Sequence, residues 1–144
     1  MTRNTMNHRS IAWLTAVILT MVFTACAAPP DDPKPVAVAT SISAKELAEQ
    51  IQSSQAPLIL DVRTETEYSR IRIPGSLNIP VDELPGRLSE IDVAKTDEIV
   101  VHCYSGHRAK KAKAILLQAG FLNVRDLDGH MEGWKRGDYP TEKD

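Results

Sequence analysis

The chain has 144 residues, a formal net charge of −2 at pH 7 and a pI near 6.1. That length supports one domain with its own core plus a tail. The balanced charge excludes the basic excess that a nucleic-acid partner would need to neutralise phosphates.

The first 25 residues are expected to be a signal peptide. Met1 to Ser10 carry Arg3, His8 and Arg9 with no acid, and Ile11 to Phe23 is apolar with Thr as its only polar type. The run is too short for a comfortable membrane span. It ends in Thr24-Ala25-Cys26, which resembles the lipobox of bacterial lipoproteins, with Phe23 where Leu is usual. The resemblance implies that Cys26 is lipidated, becomes the new N-terminus and anchors the protein on the periplasmic side of a bacterial membrane. The alternative is an ordinary small-x-small cleavage at Ala25-Cys26-Ala27, which releases a soluble periplasmic protein. Either processing removes Cys26 as a disulfide partner, leaving Cys103 as the free thiol of the mature domain. Residues 26–40 then form a linker, with Pro29, Pro30, Pro33 and Pro35 favouring an extended spacer.

Residues 41–144 carry the folded domain. Ser43-Ala44-Lys45-Glu46 is a capping-box pattern before a helix with Leu47, Ala48 and Ile51 on one face. After Pro57, Leu58 to Val62 predicts a strand buried on both faces. Thr64-Glu65-Thr66-Glu67 is a second capping box, opening a short helix toward Arg70. A turn is expected at Ile73-Pro74-Gly75, a short strand at Leu77-Asn78-Ile79, and a helical stripe at Leu84, Leu88 and Ile91. Glu98 to His102 predicts the next strand. A helix through Ala119 closes at Gly120, and Val124 to Leu127 predicts the last strand. Strands alternating with helices imply an α/β layered domain with a mostly parallel central sheet flanked by helices. Ligands of such sheets sit beyond the carboxyl ends of the strands, where Asp61, Arg63 and Cys103 all fall.

The most informative stretch is His102-Cys103-Tyr104-Ser105-Gly106-His107-Arg108, set between a strand and a helix. Such a turn aims backbone N–H groups and the positive end of the helix dipole at one point. A thiol placed there is expected to fall from its ordinary pKa of about 8.5 into the range of roughly 3.5–7.5, which makes it a thiolate nucleophile. The plainer reading is a buried cysteine packing as a small hydrophobe. Gly106, which permits a tight loop, and the positive character of His107 and Arg108 favour the reactive reading. His102 is expected to be a satisfied core residue rather than a base. Lys110, Lys111 and Lys113 are expected to form a solvated helix face, and Trp134 to pack the C-terminal helix on the core. The His and Cys residues do not fall at metal-ligand spacing, and there is no dinucleotide fingerprint.

Asp61-Val62-Arg63 with Glu67-Tyr68, then Ile73-Pro74-Gly75-Ser76 with Asn78-Ile79-Pro80, the Cys103 loop, and Asp128-Gly129-His130-Met131-Glu132-Gly133-Trp134 stand in one order along the chain. Together they resemble a single-domain rhodanese from about Ser41 to Pro140. Arg72 stands where that family often has His, and Gly129-His130 replaces a frequent Gly-Gly. The resemblance implies a sulfurtransferase without a cofactor, working through a covalent persulfide on Cys103. Its small sulfur-containing anion donor would be of the thiosulfate kind and its acceptor a thiol or cyanide. Cys103 and Arg108 would be catalytic, and Tyr104, Ser105, Gly106 and His107 would form the loop that binds the persulfide and substrate. N–H groups from Tyr104 to Arg108 would stabilise the sulfur anions, and Arg108 would attract the donor. Tyr104 is expected to be a wall of the pocket. Asp61 and Arg63 are expected to support the loops through structural hydrogen bonds.

Two other classes compete. Related Cys-to-Arg loops in phosphatases hold one residue more than the four between Cys103 and Arg108. The shorter loop suits one sulfur atom better than a phosphate ester. A carrier or protein-binding module that hands sulfur to a single unknown protein partner is the non-turnover alternative.

Overall fold

The structure is a computed structural model that describes residues 40–144. The expected signal peptide, Cys26 and the expected linker as far as residue 39 lie outside the described residues. The described chain forms five strands: β1 (Ser41–Ile42), β2 (Leu58–Asp61), β3 (Leu77–Asn78), β4 (Glu98–His102) and β5 (Asn123–Leu127). Four α-helices accompany them: α1 (Ala44–Gln52), α2 (Glu65–Arg70), α3 (His107–Gln118) and α4 (His130–Arg136). The strands make one sheet in the order β1-β5-β4-β2-β3, every pair parallel.

Side chains alternate across the strands, and the two faces bury separate clusters. Ile59 of β2 and Val100 of β4 pack with Leu47 of α1 and with Met131 and Trp134 of α4. Leu60, Ile99 and Val101 face the other way, onto Ala109, Ala112 and Leu116 of α3. Helices on both faces of a parallel sheet give the three-layer α/β arrangement expected from the alternation of elements.

Local signals explain most element ends. Thr64 and Glu67 complete both halves of their capping box at α2. At α1 only half of the expected box forms: the Ser43 hydroxyl accepts from the Glu46 N–H at 3.1 Å, while the Glu46 carboxylate lies 3.6 Å from Arg125. Pro74 and Gly75, with φ 73° at the glycine, make the turn into β3, closed by the Ser76 N–H on the Ile73 carbonyl. The helical stripe at Leu84, Leu88 and Ile91 is corrected to two single 3-10 turns, Leu84–Gly86 and Leu88–Glu90. Pro85 and Gly86 interrupt the run, so Leu84 and Ile91 reach the core without a continuous helix between them.

The register brings the site together. Asp61 pairs with His102 at the carboxyl ends of β2 and β4, and the Val62 N–H donates to the His102 carbonyl at 3.0 Å. Cys103 follows directly, so its loop leaves the sheet beside the end of β2.

Candidate active site

Cys103 is buried, and its Sγ accepts the Gly106 N–H at 3.1 Å. Gly106 has φ 109°, in the region that side chains disfavour, and it begins α3 without a capping side chain. Sequence reasoning expected a fan of donors from Tyr104 to Arg108. The structure supplies one that reaches Sγ within hydrogen-bond geometry. The loop is fastened from the opposite side, because the Cys103 and Tyr104 carbonyls accept N–H bonds from Met131 and Glu132 of α4 at 3.0 and 3.1 Å. Tyr104 is 45% exposed and stands at the loop's rim. Ser105 and His107 are exposed as well.

Arg108 does not point free into solvent. It donates to both carboxylate oxygens of Glu67, at 2.5 and 2.9 Å. Glu67 also accepts the Thr64 N–H and hydroxyl. The Arg108 hydrogen bond is the main reason its carboxyl is held well below the usual range, at about 2, with Thr64 adding to the effect and burial opposing it. Arg108 is correspondingly raised by the same bond. The pair spans 41 residues of chain, and sequence reasoning saw Glu67 only as a capping residue and part of a motif.

Under this surface lies a second ion pair. Asp61 is fully buried and Arg63 only 2% exposed. The Arg63 guanidinium donates to Asp61 through Nε at 3.0 Å and Nη2 at 2.5 Å. Nη2 also donates to the Ile71 carbonyl at 2.7 Å and Nη1 to the Glu67 carbonyl at 3.4 Å. Arg63 therefore ties the end of β2 to the middle and the C-cap of α2, the helix that carries Glu67. The sequence from Asp61 to Arg63 to α2 to Glu67 to Arg108 is one continuous support for the Cys103 loop.

His102 is a core residue, but not a satisfied one. It has no solvent exposure, its ring nitrogens have no hydrogen-bond partner, and Nε2 lies 3.7 Å from Asp61 Oδ2. Burial pushes it down to about 4 against the pull of Asp61. Between its ordinary value of 6.5 and about 4, the unfolded chain takes a proton that the folded chain refuses. Folding stability therefore falls as pH drops through that window, by a limit on the order of 3 kcal/mol. His102→Leu is expected to flatten that fall in urea denaturation measured at successive pH values. An unchanged slope would remove His102 from the account. His130, lowered chiefly by its own burial, leaves a smaller residual slope.

The lysines of α3 are less free than expected. Lys111 pairs with Asp82 at 2.7 Å, and Lys113 bonds Asp126 at 2.7 Å and the Thr40 carbonyl at 3.0 Å, which ties α3 to the β1–β5 edge. Trp134 is buried and its Nε1–H donates to the Pro140 carbonyl at 2.8 Å. Among the described residues, His, Cys, Asp and Glu form no group that could hold a metal ion.

A parallel α/β domain thus carries one buried cysteine between the end of a strand and a helix N-terminus, a position where backbone N–H groups favour negative charge. The rhodanese-like domain family matches residues 43–137, and the chain belongs to that family. A sulfurtransferase of Allochromatium vinosum is 33% identical over 99 residues, covering 69% of this chain and 91% of that protein. The Escherichia coli thiosulfate sulfurtransferase PspE is 31% identical over 70 residues, covering 49% of this chain and 67% of its own length. Some other relatives are larger, and the chain spans half or less of them. The solved human single-domain sulfurtransferase TSTD1 superposes with a TM-score of 0.61 at 29% identity, over 68% of this chain and 96% of that one. Family and relatives together support sulfurtransferase chemistry in general terms.

Proposed function

We propose that the domain moves sulfane sulfur from a small anionic donor such as thiosulfate to a thiol or cyanide, through a persulfide on Cys103. The observation that carries this reading is the Gly106 N–H donating to Cys103 Sγ at the start of α3, where negative charge on sulfur is favoured. In the first half-reaction the Cys103 thiolate attacks the outer sulfur of thiosulfate. The donor's S–S bond breaks and sulfite departs with the electron pair, leaving the outer sulfur on Sγ. In the second, the acceptor attacks that outer sulfur and Cys103 leaves as thiolate. The N–H groups of Tyr104, Ser105, His107 and Arg108 are the loop donors assigned to the outer sulfur, while Gly106 serves Sγ. Arg108, held in place by Glu67, provides positive charge beside the incoming and departing anions. The name of the Escherichia coli relative supports thiosulfate as donor. Asp61 and Arg63 act beneath the loop and touch no substrate. The reaction calls for no cofactor, since both half-reactions run on Cys103 alone. Thiocyanate formation from thiosulfate and cyanide by the purified protein tests the proposal, and its absence with Cys103 reduced would count against it.

The proposal includes location. The charged start, apolar run and Thr24-Ala25-Cys26 ending support export and attachment through lipidated Cys26, with residues 26–40 as the spacer. Intact mass of the membrane fraction is expected to show an acylated Cys26 at the N-terminus; a mature chain that begins after Ala27 and lacks Cys26 would point to the soluble form.

A further inference from the structure

His130 combines three features, the first two of them unfavourable. Its backbone sits in the left-handed region at φ 51°, directly after Gly129 at φ 72°. Its Nδ1 is shielded from solvent and has no hydrogen-bond partner. Its ring is pressed against the cysteine loop: a Cβ at position 106 would lie 2.7 Å from His130 Nε2 and 3.1 Å from Cδ2. A glycine at 130 would relieve the backbone strain and remove the unpaired nitrogen. What a glycine would give up is the third feature, the contact with Gly106.

That contact has a specific object. Gly106 supplies the N–H that reaches Cys103 Sγ, and as a glycine at φ 109° it has no side chain of its own to hold it in that orientation. The imidazole edge fills the space that such a side chain would occupy. From below, α4 fixes the Cys103 and Tyr104 carbonyls through Met131 and Glu132, but neither bond constrains Gly106. We propose that His130 is a positioning residue for sulfur transfer, bracing Gly106 so that its N–H stays aimed at Cys103 Sγ. The proposal deepens the persulfide reading of the same loop and rests on it for turnover only. Strain kept at a residue that touches the reactive loop, where a glycine would be easier, is the pattern of a position held for function.

The test uses His130→Gly and His130→Asn in the full chain, Asn being a residue that accepts the left-handed region and restores a planar polar group. Three readings are taken: the urea midpoint, the exchange rate of the Gly106 amide by NMR, and thiocyanate turnover. His130→Gly is expected to unfold at the same or a higher urea concentration, while its Gly106 amide exchanges about tenfold faster and kcat falls about tenfold. His130→Asn is expected to recover most of both losses. Wild-type exchange at Gly106 in His130→Gly would overturn the proposal. So would a lower urea midpoint in that variant, because the ring would then be ordinary packing. If the wild-type protein itself forms no thiocyanate, the persulfide reading fails while amide exchange still decides the role of His130.

Discussion

Cys103→Ser is expected to lose sulfur transfer by about 10⁴-fold or more while the domain stays folded. Serine is close to cysteine in size, and its oxygen can still accept the Gly106 N–H that now meets Sγ at 3.1 Å. The fold should therefore move by no more than about 1 kcal/mol. Chemistry is a different matter. A hydroxyl is not appreciably ionised at neutral pH, even beside one N–H donor, and it has no sulfur with which to hold the transferred atom. Thiocyanate production is the measurement, with the urea midpoint beside it. Turnover within tenfold of wild type would remove Cys103 from the reaction.

Arg63→Ala is expected to have the largest effect on stability, about 3–5 kcal/mol. The substitution leaves the fully buried Asp61 carboxylate with the residue 63 backbone N–H, at 3.0 Å, and without its guanidinium. It also strips the Ile71 and Glu67 carbonyls of the Arg63 donors at one stroke. Breaking a buried pair costs far more than breaking an exposed one, because the remaining charge cannot recover its hydration. A domain of ordinary stability, roughly 5–15 kcal/mol, would lose a substantial part of it. Urea denaturation checks this, and a loss below about 1 kcal/mol would mean that Asp61 finds water once Arg63 is gone. The catalytic consequence is indirect: α2 loosens, Glu67 moves with it, and Arg108 loses the carboxylate that holds it.

The elements that could be read from the chain were those whose signals are local. The apolar runs of β2 and β4, the Thr64-to-Glu67 box and the loop from Cys103 to Arg108 each declare themselves within a few residues. What escaped was set by partners far along the chain. Strand β1 is only Ser41-Ile42, with no pattern to betray it, and exists because those residues pair with Asp126 and Leu127 of β5. The stripe at Leu84, Leu88 and Ile91 has helical spacing, yet Pro85 and Gly86 lie inside it, and backbone sterics overrode the periodicity. His102 was placed correctly in the core, but whether its nitrogens found partners depended on Asp61 and Arg63, which satisfy each other instead.

The candidate site divides the same way. A cysteine at a strand end before a helix was visible as a motif, and the motif is what located it. The arrangement around it was not: Glu67 meets Arg108 from another helix, and His130 meets Gly106 from beyond β5. A capping box accounts for Glu67 so completely that nothing in the sequence asks for a second partner. At position 130 a signal was available, since a histidine stands where the resembled family often has glycine. Its meaning required the left-handed φ and the distance to Gly106.

The central claim is that Cys103 carries the sulfur, and the most direct measurement is the intact mass of the purified protein after exposure to thiosulfate. The account predicts a gain of one sulfur atom, localised by peptide mapping to Cys103 and removed by adding cyanide. Unchanged mass on a protein whose Cys103 is confirmed as free thiol would contradict it.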